Sequence, residues 1–133
     1  MPPAAKIYKC YAARARAQSR IMTVTETFFS IDVDDMERAT AFYVAAFGAT
    51  VMFATPDWSS LRVAGVRLGL FRHPGHAERR IGLHFAVSDL AAARGDIERA
   101  GGRGVGAATE VAPGVVIAEA TDSEGNVLTL RQA

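Results

Sequence analysis

A long internal repeat constrains the fold of this chain more than any other feature of its sequence. The segment 30–51 has the same layout as the segment 84–105, with residues of the same kind at a constant offset of 54, as between Asp35 and Asp89. Further pairs at this offset are Val33 and Val87, Met36 and Leu90, Ala39 and Ala93, Gly48 and Gly102, and Val51 and Val105. A fixed offset over such a span indicates two copies of one structural unit.

Each copy predicts a strand followed by a helix. In residues 29–34 apolar and polar side chains alternate, which is the period of a strand with one buried face. Asp35 then provides an oxygen that caps the first amides of a helix, and Gly48 marks the C-terminal end of that helix. In the second copy Asp89 is the expected cap, and the glycine pair at 101–102 is the expected end.

Three more strands are expected after each helix. They are 50–54, 58–63 and 66–71 in the first half, and 105–111, 115–120 and 126–131 in the second half. The last strands, which follow Gly65 and Gly125, are related by an offset of 60, so the second half is six residues longer. We assign the additional residues to a longer loop. The predicted fold class is α+β, with two βαβββ repeats.

Length and composition fit one domain. A chain of 133 residues that is 50% hydrophobic can fill one core, and no apolar run approaches the roughly 18 residues needed to cross a membrane. We expect a single domain at 23–133, with repeat one at about 23–72 and repeat two at about 81–132. The single cysteine, Cys10, excludes an intramolecular disulfide and favours the reducing cytoplasm.

The formal net charge of +1 conceals two unlike parts of the chain. Residues 1–22 contain five basic residues and no acidic one, which leaves 10 of the 15 basic residues against all 14 acidic ones in the remainder. Because the basic residues form a tail rather than a face, no nucleic-acid partner is expected. The tail is rich in Ala and Arg, as mitochondrial transit peptides are. We favour the interpretation that Met22 is the natural start and that the basic extension 1–22 is disordered or non-native.

Two motifs carry a family resemblance. The first comprises Val33, Asp35, Met36, Ala39, Phe42, Tyr43 and Gly48, and the second comprises Asp122, Gly125, Asn126, Leu128 and Leu130. Together they resemble the vicinal oxygen chelate superfamily, which includes glyoxalase I, extradiol dioxygenases, and bleomycin and fosfomycin resistance proteins. The resemblance covers about residues 23–132. It implies that each βαβββ unit curls into a half-barrel with its helix outside, and that two copies of the chain form a homodimer.

The resemblance also implies four metal-ligand positions, which His or Glu occupy in the metal enzymes of the superfamily. In this chain they are occupied by Phe28, Gly69, Gly82 and Thr129. None of these is a usual ligand of a divalent metal, so we expect no cofactor. The alternative is a divalent metal at an irregular site formed by Asp32, His84 and Glu119.

A ligand cavity on the concave strand face is a further implication of the resemblance. Its candidate ligand-binding residues are Ser30, Asp32, Trp58, Arg62, His84, Glu119, Thr129 and Arg131, whereas Phe29, Ile31, Leu83, Phe85, Leu128 and Leu130 are expected to pack on the helices. The polar candidates either bind a ligand or bond to one another and to the two arginines. Trp58 either stacks on a planar or cationic ligand or covers the barrel edge.

Two classes of function compete. The favoured one is a glyoxalase- and bleomycin-resistance-like binding protein that lacks the usual metal ligands and sequesters a cationic or aromatic compound. The alternative is a lyase or dioxygenase of this superfamily, with an irregular metal site or with His84 as the candidate catalytic residue, a general base. The expected partners are a small-molecule ligand and a second copy of the chain, and neither nucleic acid nor a membrane. A dimer without any ligand is the third hypothesis.

Overall fold

The structure, a computed structural model, describes residues 22–75 and 78–133. Its first half comprises β1 (Phe29–Val33), α1 (Met36–Phe47), β2 (Thr50–Ala54), β3 (Trp58–Val63) and β4 (Val66–Arg72). Its second half comprises β5 (Arg79–Val87), α2 (Leu90–Arg99), β6 (Arg103–Ala112), β7 (Val115–Thr121) and β8 (Asn126–Gln132). This order confirms the predicted α+β class with two βαβββ repeats. Of the predicted extension 1–22, all but Met22 lies outside the described residues.

The eight strands form two separate sheets of four strands. The N-terminal sheet has the order β1-β4-β3-β2, and the C-terminal sheet has the order β5-β8-β7-β6. In each sheet the first strand runs parallel to the last strand of its own repeat, and the other pairs are antiparallel. The same topology therefore occurs twice, as the repeated sequence predicts.

Both helices begin and end at residues that the sequence marks. The side chain of Asp35 accepts a hydrogen bond from the Arg38 amide, and that of Asp89 accepts one from the Ala92 amide. At the end of α1, Gly48 adopts the left-handed conformation with φ 64° and donates to backbone carbonyls of the last turn. Within the described ranges no helix is both long and apolar enough to cross a bilayer.

The β3–β4 hairpin determines which side chains of the N-terminal sheet face the core. Val63 pairs with Val66 across a turn in which Ala64 and Gly65 both have positive φ, 48° and 81°. The buried side of the hairpin carries Leu61, Leu68 and Leu70. The opposite side, here called the open face of the N-terminal sheet, carries Trp58, Ser60, Arg62, Arg67, Gly69 and Phe71. The pairing of Val63 with Val66 fixes this distribution, because side chains alternate between the two faces along each strand.

One apolar core joins the two repeats. Tyr43 of α1 and Ile97 of α2 are both buried in the same cluster, together with side chains from both sheets. Phe47 of the first repeat stacks on Phe85 of the second, with ring centroids 4.0 Å apart and an interplanar angle of 18°. The two βαβββ units therefore form a single packed body rather than two independent ones.

Five of the six side chains predicted to pack against the helices do lie in or against the core. Ile31, Leu128 and Leu130 are buried, and Leu83 and Phe85 are half-buried against the core cluster. The prediction for Phe29 is wrong, because 61% of this residue is exposed. Phe29 is the first residue of β1, and β1 is an edge strand, so it has a neighbouring strand on one side only.

Glu124, in the turn between β7 and β8, ties the second repeat to the first helix. Its carboxylate accepts hydrogen bonds from the amides of Asp34 (3.0 Å) and Asp35 (2.8 Å) and from Arg38 Nε (2.7 Å). Burial acts to raise the pKa of this carboxyl, but the hydrogen bonds, led by that from Arg38, together hold its pKa below the ordinary value. The resulting negative charge lies at the N-terminus of α1, where the helix dipole stabilises it.

The second family motif forms a buried turn that joins β8 to β1. Asp122 Oδ2 accepts hydrogen bonds from the Tyr43 hydroxyl (2.7 Å) and from Asn126 Nδ2 (2.9 Å). Asp122 Oδ1 accepts from the amides of Glu124 and Asn126. Asn126 Nδ2 also donates to the carbonyl of Asp32 at 2.9 Å. These residues connect the two repeats, so the motif is structural.

The additional residues of the second repeat lie in a long hairpin. Strand β6 has 10 residues, whereas the corresponding β2 has five. Its pairing with β7 shifts between Val105 and Thr109 and again between Glu110 and Ala112. Such bulges accommodate extra residues within a strand. The expectation of a longer loop is therefore only partly right: the turn 122–125 is longer than the turn 64–65, but most of the additional residues lie in strands.

Candidate functional site

Four aromatic rings meet on the open face of the N-terminal sheet, with Trp58 at the centre. The ring centroids of Phe28, Phe71 and Phe53 lie 6.1, 5.8 and 6.5 Å from that of Trp58. Phe28 and Phe71 meet the indole edge to face, at interplanar angles of 76° and 71°. We call these four residues the aromatic platform. The exposed fractions of Phe28, Phe53 and Phe71 are 39%, 44% and 47%, so a ligand can reach the rings from solvent.

The strand register explains why these rings meet. Trp58 of β3 is paired directly with Phe71 of β4. Phe53 of β2 lies opposite Ser60, which is two positions after Trp58 and therefore on the same face of β3. Phe28 immediately precedes β1, the strand on the other side of β4. Each part of the sheet thus contributes one ring.

Gly69 of β4 provides the space in which the indole lies. A Cβ added to Gly69 would come within 2.7 Å of Trp58 Cη2 and 3.2 Å of Cζ2. Atoms at the shorter distance would clash, so any other residue at this position would displace the ring. The indole of Trp58 therefore packs directly against the backbone of the central strand.

Arg67 forms one polar edge of the platform. Its guanidinium carbon lies 4.4 Å from the centre of the Phe28 ring, which is a cation–π contact. Its Nε donates a hydrogen bond to Ser60 Oγ at 2.9 Å, and Nη1 forms an ion pair with Glu26. These bonds orient Arg67 beside the rings.

Three predicted ligand-binding residues lie elsewhere on the N-terminal sheet. Asp32 forms an ion pair with Arg79 of β5, with 2.6 Å between Oδ2 and Nη2. Together with Ser30 these two residues line a small cavity of about 250 Å³, which Ile31 and Ile81 also line. Arg62 is exposed and donates a long hydrogen bond, 3.4 Å, to the carbonyl of Gly65. Asp32 is therefore part of the contact between the two sheets.

The other four predicted residues share one face of the C-terminal sheet. His84 of β5 lies opposite Thr129 of β8, which lies opposite Glu119 of β7. Arg131 is two residues after Thr129 and lies opposite Ile117. Glu119 forms an ion pair with Arg80. We call this surface, which faces away from the core, the open face of the C-terminal sheet.

The predicted residues thus fall into two groups. Four of the predicted residues, Ser30, Asp32, Trp58 and Arg62, belong to the N-terminal sheet or its strands. Within the described residues, the only side-chain bond from these four to strand β5 of the other sheet is the Asp32–Arg79 ion pair. No ring contact or hydrogen bond of the described residues joins Trp58 to His84.

Sequence reasoning missed Phe53 and Phe71 of the platform and the arginine partners Arg79 and Arg80. The alternation of the β3–β4 hairpin does place Phe71 on the same side as Trp58, and this signal was present in the sequence. The two arginines begin β5, and their pairing depends on a bulge near Gly82, where φ is 68°.

A second concave region lies away from all eight predicted residues. It is a groove of about 730 Å³ between α1 and the β2–β3 turn, lined by both apolar and polar side chains, with Met36, Val44 and Pro56 among the apolar ones. Asp34, Asp35 and Glu37 lie at the helix end of this groove. Its position on the helix side of the sheet separates it from the aromatic platform.

The sequence profile of the family described as "Glyoxalase-like domain" matches residues 28–131, which is most of the chain. This chain belongs to the glyoxalase-like domain family. The family is part of the vicinal oxygen chelate superfamily, so the resemblance identified from the two motifs is confirmed. No functionally curated protein matches the chain.

Several solved structures share the fold of this glyoxalase-like chain. A hypothetical protein, SA1046, from S. aureus is 18% identical with a TM-score of 0.67, and the match covers 84% of this chain and 96% of that one. A glyoxalase-related enzyme from Fulvimarina pelagi is 18% identical with a TM-score of 0.64, over 83% and 89%. The fosfomycin resistance protein FosX from Listeria monocytogenes, solved with Mn(II) and sulfate, is 16% identical with a TM-score of 0.69, over 84% and 92%. At these identities the likeness establishes the fold alone.

The residues of this glyoxalase-like chain do not fit the metal of its superfamily. Of the four implied ligand positions, Phe28 belongs to the aromatic platform, and Trp58 fills the space above Gly69. Gly82 has no side chain, and Thr129 offers only a hydroxyl group. The donor set therefore lacks every carboxylate and imidazole that a divalent metal needs at this place.

The irregular metal site formed by Asp32, His84 and Glu119 is not assembled either. Across residues 22–75 and 78–133, no three His, Cys, Asp or Glu side chains lie together as metal ligands would. Asp32 of the N-terminal sheet and Glu119 of the C-terminal sheet are each bound to an arginine of β5. The arrangement of these three side chains therefore does not suit the binding of one metal ion.

Proposed function

We propose that this glyoxalase-like chain is a small-molecule-binding protein whose ligand is a planar aromatic compound stacked on the aromatic platform, and that binding needs no metal. One observation carries the proposal: the indole of Trp58 occupies the space above Gly69, with three partly exposed phenylalanine rings around it. An aromatic surface thus stands where the metal enzymes of the superfamily place a ligand side chain.

The exposure of these rings supports a binding role. Folded proteins bury large aromatic side chains because each one removes a large apolar area from water. Contiguous apolar patches that remain exposed mark sites for ligands or partner proteins. Stacking of a planar compound on such rings contributes about 0.5–1.5 kcal/mol beyond the apolar area that it buries. The platform is therefore suited to a flat aromatic ligand.

The charges favour an aromatic ligand over a cationic one. A cationic ligand would need a carboxylate partner, and the two candidate carboxylates are those of Asp32 and Glu119. Each forms an ion pair with an arginine, Arg79 and Arg80 respectively. A cationic ligand would have to displace an arginine to gain either carboxylate. Arg67, beside Phe28, instead offers hydrogen-bond donors to the acceptor atoms of a bound compound.

The side chains support binding of the ligand without its chemical conversion. A general base of the histidine type usually has a second group that orients its ring. Glu119, the carboxylate in the same strand row as His84, is held by Arg80. Sequestration of the aromatic compound, as in a bleomycin-resistance-like protein, is therefore the role that we propose.

A thermal-shift screen tests this proposal. Planar aromatic compounds should raise the melting temperature, and saturated rings of similar size should not, because they cannot stack in the same way. The shift should be equal with and without EDTA. Stoichiometric Zn, Ni, Fe or Mn in protein purified without chelator, or stabilisation that EDTA abolishes, would contradict a metal-independent platform. Conversion of a stabilising compound to product would favour the enzyme alternative.

We further propose that two copies of the chain form a homodimer. All five residues of β2, one of the two edge strands of the N-terminal sheet, are exposed, and Val51, Met52 and Phe53 are among them. Edge strands with exposed apolar side chains are prone to pairing with another chain. Light scattering at micromolar concentration should give twice the monomer mass. A monomer at every concentration would contradict this part of the proposal.

Cytoplasmic residence completes the proposal. Its support is the single cysteine of the chain, which suits a reducing compartment. Fractionation of cells that express the native gene tests it, and recovery in an envelope or secreted fraction would contradict it.

A further inference from the structure

The open face of the C-terminal sheet carries a second group of polar side chains, distinct from the aromatic platform. His84, Thr129 and Glu119 lie side by side on three neighbouring strands. Arg131 follows on the next row of the same face, diagonal to His84. Directly opposed residues of paired strands have Cβ atoms about 5 Å apart, and diagonal neighbours about 7–8 Å apart. These distances allow one small group to contact His84, Thr129 and Arg131 together.

The donors of this group have no partner within the described residues. Thr129 is buried, with 7% of its surface exposed, and its hydroxyl makes no hydrogen bond there. His84 and Arg131 are exposed, and neither makes a side-chain hydrogen bond or ion pair in the same ranges. Among the described residues the only fully buried side-chain polar atom without a partner is Asn126 Oδ1, so the Thr129 hydroxyl remains within reach of solvent. Its position between His84 and Glu119, with Arg131 on the next row, leaves this hydroxyl available to an atom of a ligand.

The charge of this face is suited to an anion. In the row formed by His84, Thr129 and Glu119, the carboxylate belongs to Glu119, and its charge is neutralised by the ion pair with Arg80. The guanidinium of Arg131 is left without a counter-charge, and it offers several N–H donors in a planar fork that matches two oxygens of an oxyanion. The Thr129 hydroxyl and the His84 imidazole add donors beside it.

We propose that His84, Thr129 and Arg131 form an oxyanion-binding site, with a carboxylate or a phosphate-type group as its ligand. Arg131 binds two oxygens of the anion, and Thr129 donates its hydroxyl to one of them. His84 bounds the site on the β5 side. Arg80 is a positioning residue, because its ion pair keeps the Glu119 carboxylate from repelling the anion. The site involves no residue of the aromatic platform, so it stands or falls separately from the proposed aromatic ligand.

Nuclear magnetic resonance titration of the full chain with inorganic phosphate tests the site, with chloride adjusted to keep the ionic strength constant. Saturable shifts should be confined to residues near 84, 129 and 131. Arg131→Gln should weaken binding about tenfold, which is typical for the loss of a charge-assisted pair of hydrogen bonds. Thr129→Val, which keeps the side-chain shape, should weaken it severalfold. A parallel titration with acetate distinguishes the two ligand chemistries, since the tighter anion identifies the class.

Arg72→Gln is the matched control, because Arg72 is an exposed arginine of the other sheet and the substitution removes the same charge. It should leave the phosphate affinity within about twofold, since an exposed distant charge is screened. Equal weakening by Arg72→Gln and Arg131→Gln would show that only the overall charge matters and would overturn the site. So would shifts that follow ionic strength alone, or no saturable binding of either anion. Circular dichroism of each variant checks that the fold is retained.

Discussion

The indole of Trp58 lies so close to Gly69 that a single added carbon on the glycine would come within 2.7 Å of the ring. This relationship links the strand register of the N-terminal sheet to its open face. The ring is held over the backbone of β4, between Phe28 and Phe71, because Gly69 has no side chain. The pair thus presents an aromatic surface at Gly69, one of the positions for which the resemblance implies a metal ligand.

Gly69→Ala should displace the indole and weaken aromatic ligands. Because φ at Gly69 lies outside the left-handed region, the backbone accepts alanine, and the strain falls on the ring. We expect a loss of stability of about 1–3 kcal/mol, typical of overpacking, and a shifted emission of Trp58. Chemical denaturation and fluorescence measure both.

Gly95→Ala is the matched control for that substitution. Its added carbon would meet only the Arg99 guanidinium, at 3.2 Å, and this flexible side chain can move. Alanine within α2 should stabilise the protein by up to about 1 kcal/mol and leave the Trp58 emission unchanged. A Gly69→Ala protein with wild-type emission and wild-type ligand affinity would show that the indole is not confined by Gly69.

The repeat made much of the fold predictable. Asp35 and Asp89 cap the two helices as expected, and the pairing of Val63 with Val66 places Trp58 and Gly69 on one face. Local chemistry determines these features, because caps and tight turns depend on residues close in sequence. The α+β class and the two faces of the β3–β4 hairpin therefore followed from sequence alone, whereas the exposure of Phe29 on the edge strand β1 did not.

The polar contacts of the candidate site were less predictable, because they join residues distant in sequence. Asp32 pairs with Arg79 across the meeting of two sheets, and Glu119 pairs with Arg80 past a bulge in β5. A bulge shifts which residues face each other, and alternation does not reveal it. The sequence therefore did not reveal that both carboxylates have arginine partners on β5.

Glu124→Gln should remove a pH-dependent part of the stability. The folded-state pKa of Glu124 lies below its ordinary value of 4.5. Its contribution is therefore present above the unfolded-state pKa and is lost as pH falls through the folded-state pKa. At neutral pH the variant should be less stable by about 1 kcal/mol, a modest value because the Arg38 side chain is half exposed. The difference should shrink as pH falls below 4.5.

Glu98→Gln provides the comparison for Glu124, because Glu98 is an exposed carboxylate on α2. Urea unfolding of both variants between neutral and acidic pH gives the free energies. A Glu124→Gln protein whose destabilisation stays constant down to acidic pH would contradict the role of the charged carboxylate at the start of α1.

His84→Ala and Leu128→Ala should separate the open face from the core. Leu128 is 1% exposed, so its truncation should cost about 2–5 kcal/mol of unfolding free energy. His84 is exposed, and its removal should cost less than about 0.5 kcal/mol, as is usual at the surface. Thermal and urea unfolding measure both. A strongly destabilised His84→Ala protein would show that the face assignment of β5 is wrong.

The emission of Trp58 during ligand titration tests the central claim most directly, because it is the only tryptophan of the chain. For a planar aromatic compound found in the screen, the titration is performed in EDTA and repeated by calorimetry on Trp58→Leu. Phe29→Leu is the control, since Phe29 is an exposed ring outside the platform. The account predicts that binding changes the Trp58 emission with the calorimetric affinity, that Trp58→Leu weakens binding about tenfold or more, and that Phe29→Leu leaves it unchanged. Tight binding that neither alters the Trp58 emission nor depends on Trp58 would contradict it.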